Sequence, residues 1–174
     1  KFCRGAIGGY VSFVALTADG GVLRAEIQRG GAASLFGPDL ERLPTEIAEA
    51  PLAGLMSSGP DRPEPLSRFT PAAAGVGLVT GHRMPNVAGA GGVAPNAAAL
   101  ALMAQGLGPR AALIRTLDEN RDADAGMIAL AADGRLHVAD SALVRRRGGS
   151  RRAVFGARAT GARAAALCNA IHPG

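Results

Sequence analysis

Tryptophan is absent from this chain, tyrosine occurs once (Tyr10) and phenylalanine five times. The scarcity denies any basic segment the stacking platforms on which single-stranded nucleic acids are held. It also leaves the core to small aliphatic side chains, which must pack thinly and tightly. Cysteine occurs only as Cys3 and Cys168, too few for a disulfide framework and without zinc-ligand spacing, so two reduced thiols and no metal or other cofactor are expected. No apolar run approaches the roughly 20 residues of a spanning helix, and no signal-peptide pattern opens the chain. A membrane partner is therefore not expected, and the setting reads as cytoplasmic. Lys1 is the only lysine, so the formal charge of +5 is an arginine charge. Together with the Ala and Gly loading it reads as the composition of a GC-rich genome, and nucleic acid is an unlikely partner on this composition.

What is present suits one domain. Its 174 residues, 48% of them hydrophobic, are enough to bury about two-thirds of the unfolded surface. Lys1 is not methionine, and Lys1–Arg4 reads like the tail of an element that begins upstream. The expectation is a single domain, 1–174, that lacks its natural N-terminal segment.

The strongest local signal is Gly126–Asp140, G-M-I-A-L-A-A-D-G-R-L-H-V-A-D. Two apolar runs, Met127–Leu130 and Leu136–Ala139, flank Asp133-Gly134, and Asp-Gly between two strand-like runs marks a β-hairpin. Val14–Glu26 echoes it with Asp19-Gly20 in the same place, which predicts strands over Tyr10–Leu16 and Val22–Gln28. A further strand is expected over Gly75–Thr80, followed directly by the polar cluster Gly81-His82-Arg83-Met84-Pro85-Asn86. Ser141–Val144 reads as an extension of the second hairpin, and Ala162–Ile171 as a central closing strand that carries Asn169 to a sheet end.

Helices are expected over Glu41–Glu49, over Ala97–Gln105 with Asn96 as N-cap and Gly106 as stop, and over Pro109–Leu117. Ser57–Pro71 carries several prolines and reads as a long polar loop, a length that in a compact domain points to function or to a linker. Arg29-Gly30-Gly31 ends the second strand as a loop. Gly89–Gly92 lacks the strand–glycine–helix context of a dinucleotide site. Asp118–Asp124 lacks the glycine and terminal glutamate of a calcium loop and reads as a solvated acidic turn. Arg145–Arg152 reads as a basic, solvated loop.

Two hairpins of this form, separated by an alanine-rich helical pair, resemble the layered plan of N-terminal-nucleophile (Ntn) hydrolases. More specifically, S-S-G-P-D-R-P-E-P, T-G-H-R-M-P-N and the terminal C-N-A-I-H-P resemble an uncharacterised bacterial family of Ntn-hydrolase-like proteins of unknown function. The resemblance implies an α+β fold: an α/β/β/α sandwich of two antiparallel sheets flanked by helices. It also implies amide-bond chemistry with a Thr, Ser or Cys at a free N-terminus, where the α-amino group serves as base. Position 1 is Lys and Asp124 stands ahead of the second hairpin, so Cys3 qualifies as nucleophile only once Lys1-Phe2 is removed.

Two functions stay open. One is an amidohydrolase acting on a linear amide in a small molecule, with Cys3, Asp61 and His82 as catalytic candidates and Ser58, Asn86 and Asn169 among the groups that bind substrate or its oxyanion. The other is a catalytically silent binder of a small anionic ligand or a partner subunit, recognised by Arg29, Arg62 and Arg83 through the guanidinium fork. Exposed sheet edges make a homo-oligomer an expectation in either case.

Overall fold

A computed structural model describes residues 9–59, 61–156 and 161–169. The chain is mixed α+β, with several antiparallel sheets and a few short helices. Strand β1 (Tyr10–Leu16) is the centre of a three-stranded sheet, between β2 (Val22–Ile27) and β3 (Leu52–Ser58). Every residue of β1 is buried, because both of its faces are covered. Val11, Phe13 and Ala15 pack with Phe36, Leu35 and Ile47 of helices α1 (Gly31–Phe36) and α2 (Thr45–Ala48). Val14 and Leu16 point the other way and meet Leu78 and Leu130.

Those leucines belong to a four-stranded sheet ordered β4 (Ala72–Ala73), β5 (Gly77–Arg83), β6 (Ala125–Ala131), β7 (Leu136–Asp140). Alternation along β5 and β6 splits their side chains. Val79, Met127, Ala129 and Ala131 pack with Ala99, Met103, Ala112, Leu113 and Leu117 of helices α3 (Pro95–Ala104) and α4 (Pro109–Glu119). Leu78, Thr80 and His82 take the opposite face. Thr80 Oγ1 donates to the Leu55 carbonyl at 2.7 Å, and a Cβ on Gly54 would stand 2.6 Å from Leu78 Cδ1. Strands β3 and β5 therefore run in the same direction across the gap between the two sheets.

Both Asp-Gly turns form hairpins, but only the glycine is left-handed, at φ 89° for Gly20 and 81° for Gly134. Each aspartate instead accepts a backbone N–H two residues on, 3.4 Å from Gly21 to Asp19 and 3.0 Å from Arg135 to Asp133, an Asx turn.

Several expectations need correction. Gly81, His82 and Arg83 lie inside β5 rather than after it. Asn96 does not cap α3: Ala94 is the N-cap and Pro95 the first helical residue, while Asn96 Nδ2 donates to the Arg68 carbonyl at 2.7 Å. Ser57–Pro71 is not irregular throughout, since Ser57 and Ser58 end β3 and Leu66–Phe69 forms a 3₁₀ turn. Gly31 opens α1, and the helix expected over Glu41–Glu49 shrinks to Thr45–Ala48 with Pro44 as cap. Ser141–Val144 does not extend β7, because Ser141 Oγ accepts the Val144 N–H at 3.1 Å and starts helix α5 (Ala142–Arg147). The basic run is thus the end of α5 and the start of β8 (Ser150–Gly156), not a loop. The closing strand is β9 (Arg163–Asn169), and among the described residues it pairs only with β8, in a separate two-stranded sheet rather than in a central position. No helix of the described residues is long and apolar enough to cross a membrane.

Candidate functional site

Topology gathers most of the candidate residues at one end of the two sheets. Tyr10 begins β1 opposite Ser58, the last residue of β3, and Val11 lies opposite Ile27, so Gln28 and Arg29 leave β2 at the same end. Because β5 runs with β3, that end also holds His82 and Arg83, the start of β6 and Asp140.

At its centre, His82 and Asp140 face each other across Gly126, which is opposite both in register. Strands on either side of a third are about 10 Å apart, and the side chains meet because the middle position has no Cβ. Added there, one would stand 2.0 Å from His82 Nε2 and 2.2 Å from Asp140 Oδ1. The glycine thus leaves room for a buried contact of 2.9 Å between Nε2 and Oδ1. Ser150 Oγ donates to the other carboxylate oxygen at 3.1 Å. Since Ser150 lies opposite Asn169, Asn169 enters this end as well. Burial pushes the Asp140 carboxyl up, but the His82 and Ser150 bonds and the charges of His82 and Arg152 together hold it below the usual carboxylate value.

Beside the pair, Arg83 closes β5 with φ 66°, a left-handed backbone that a non-glycine residue holds only where its surroundings impose it. Its Nη1 is 3.2 Å from Asp124 Oδ1, while its Nε is buried without a hydrogen-bond partner, as is Asn86 Oδ1. A cleft of about 540 Å³ opens next to them, between the Met84–Ala90 loop and Glu119–Asp124.

On the three-stranded side, the Arg62 backbone is clasped twice by the Gln28 side chain, its N–H donating to Oε1 at 3.1 Å and its carbonyl accepting from Nε2 at 2.5 Å. The Arg62 guanidinium lies 6.0 Å from the centre of the Tyr10 ring. Tyr10 is fully buried, and burial pushes its hydroxyl up to about 12 against the opposing pull of the Arg62 charge and hydrogen bond. Arg29 and Asp61 form an exposed pair, Nε to Oδ1 at 3.0 Å, and the Arg29 hydrogen bond holds Asp61 below the ordinary carboxylate range.

His82 is thus partnered by Asp140, and Asp61 by Arg29. Cys3 lies outside the described residues. Asp140, Gly126, Tyr10 and Ser150 were missed in the sequence; a glycine one strand away from each of two polar residues is the signal that marks the first two, once register is known. Three of the four carboxylates in Asp118–Asp124 pair with arginines, Glu119 with Arg115, Asp122 with Arg146 and Asp124 with Arg83 and Arg147. Among the described residues, no three His, Cys, Asp or Glu side chains gather as a metal site would require.

The chain belongs to the family described as Domain of unknown function (DUF6963). Its model matches residues 1–174. No curated protein and no solved structure matches the chain. Membership therefore fixes a lineage and leaves the chemistry to be argued from the site.

Proposed function

We propose that this DUF6963 chain is an Ntn-hydrolase-like protein that hydrolyses a linear amide in a small molecule. One observation carries the reading: a buried His82–Asp140 pair stands at the sheet end where the chain enters β1, the place where an N-terminal nucleophile is needed. The packing order supports it, with α1 and α2 outside one sheet, α3 and α4 outside the other, and Val14, Leu16, Leu78 and Leu130 between them. An α/β/β/α sandwich would have that order.

In this reading Cys3 becomes N-terminal by removal of the residues before it. Its α-amino group takes the thiol proton as sulfur attacks the amide carbon. The C–N bond breaks, the amine leaves with a proton, and water then hydrolyses the thioester to the acid and the free thiol. Asp140 orients the His82 imidazole for proton transfer, as a carboxylate does in a triad. Asp61 orients Arg29 at the mouth, and Ser58 and Asn86 offer polar contacts to the substrate. The cytoplasmic setting belongs to the same proposal, as does a homo-oligomer, for which the half-exposed Val154 and Phe155 leave apolar surface on the two opposite faces of β8; a monomeric mass in solution contradicts the oligomer.

A silent binder is the second reading. It is favoured by Ser150 Oγ, which donates to Asp140 and not to the imidazole. Ammonia release from a panel of small primary amides separates the two, read beside the intact mass of the N-terminus. The hydrolase reading expects a free Cys3 and a loss of at least about a thousandfold in Cys3→Ala. Turnover that survives that substitution, or none from a chain whose N-terminus is Cys3, overturns it.

A further inference from the structure

A second opening lies farther along β7, between that strand and the β8–β9 ribbon. β7 is the last strand of its sheet, and the ribbon lies beside it. The groove between them holds about 460 Å³, with Leu136, Val138 and Val154 as apolar walls and His137, Arg152 and Arg163 as charged or titratable groups. Register sets both arginines on one face of the ribbon. Gly156 lies opposite Arg163, and alternation points Arg152, Val154 and Gly156 the same way. His137 comes from the other wall.

Nothing neutralises this groove. Among the described residues no carboxylate pairs with Arg152, Arg163 or the nearby Arg110 of α4, whereas Arg29, Arg83, Arg115, Arg135, Arg146 and Arg147 each have one. Arg152 reaches Asp140 with its charge but forms no ion pair with it. Burial, then the charges of Arg110 and Arg152, hold the His137 imidazole below its ordinary 6.5. An opening lined by charge of one sign concentrates the opposite sign, and an anion here would relieve the repulsion among its own walls.

We propose that Arg152, Arg163 and His137 form an anion site for the phosphate monoester of a small organic molecule, separate from the His82–Asp140 end. Such a group carries about 1.5–2 negative charges near neutral pH and three acceptor oxygens, enough to meet all three side chains, and two of the oxygens match a guanidinium fork. A carboxylate brings one charge and two oxygens. The apolar walls receive the rest of the molecule, and about 460 Å³ lies within the range of small-ligand pockets. With no Trp in the chain and its single Tyr in β1, the groove has neither as a stacking platform for a nucleic-acid strand. The site does not depend on amide hydrolysis.

The test uses phenyl phosphate, benzoate and phenol, one ring carrying a dianion, a monoanion and no charge. Calorimetric titration at constant ionic strength should show phenyl phosphate binding about tenfold or more tighter than benzoate, and no binding of phenol. Arg152→Gln and Arg163→Gln, both at exposed positions, should each weaken phenyl phosphate by about tenfold, the loss of one charge-assisted hydrogen bond. Arg115→Gln, at an exposed arginine outside the groove, should leave it unchanged, and unfolding midpoints confirm that the variants are folded. In the wild type the His137 ring, followed by NMR, should titrate at higher pH with phenyl phosphate bound, because the anion favours the imidazolium, while His82 does not respond. Benzoate binding as tight as phenyl phosphate, wild-type affinity in either groove variant, or an unmoved His137 titration overturns the site. So does a DNA duplex that binds where phenyl phosphate does not. None of these readouts is turnover, so failure of the hydrolase reading leaves the site standing.

Discussion

Gly126 is the residue on which the His82–Asp140 contact depends, and the dependence is steric. An alanine there places its Cβ 2.0 Å from Nε2, so the pair must part or the strands must separate. Either response costs an overpacking penalty plus a buried hydrogen bond, about 3 kcal/mol in total. Gly126→Ala should therefore lower stability by about that amount in urea unfolding, whereas Gly134→Ala, with open space around its Cβ, pays only for its left-handed backbone, about 1 kcal/mol. Asp140 gives the same contact a pH signature. Its folded value lies below the ordinary 3.8, so its contribution is complete above the unfolded value and is lost as pH falls through the folded one. Urea midpoints measured downward from pH about 5 should fall more steeply for the wild type than for Asp140→Asn. At this scale His82 was legible as a candidate, because a histidine after an apolar run stands out. Its partner was not, since a contact across an intervening strand is visible only when two registers are known.

The elements show where local chemistry is enough and where it is not. Asp19-Gly20 and Asp133-Gly134 announce their hairpins because glycine and an Asx turn act within four residues. Pro109 at the first turn likewise announces α4. Strand β3, L-A-G-L-M-S-S, contains no β-branched or aromatic residue, and among the described residues its ladder partner is β1, which nothing local reveals. Ser141 carries the opposite lesson. Read as a strand residue, it is the N-cap that stops β7 and starts α5. Ser141→Ala should cost about 1 kcal/mol, and Ser141→Asp, which keeps an acceptor at the cap, should recover most of it in the same unfolding measurement.

At the scale of the whole molecule, the two larger sheets are joined through few side chains. Leu78, 1% exposed, touches residues of both. Leu78→Ala should cost about 3 kcal/mol, or about 9 °C in melting temperature for a chain of this size, with a single calorimetric transition retained. Paired sheets followed from the two hairpins and their echo. The third sheet, β8 with β9, did not, because its arginine-rich first strand reads as a solvated loop until Ser150 is seen fastened to Asp140. The same joining sets the candidate site: one end of the sheets collects Tyr10, Arg62, His82, Arg83 and Asp140. Nitrogen-resolved NMR of the histidine rings in the wild type and in Asp140→Asn tests that most directly. The His82 ring nitrogens should shift between the two proteins, while His137, paired in register with Ala129 away from that end, stays still. A shift confined to His137, or none at His82, contradicts the account.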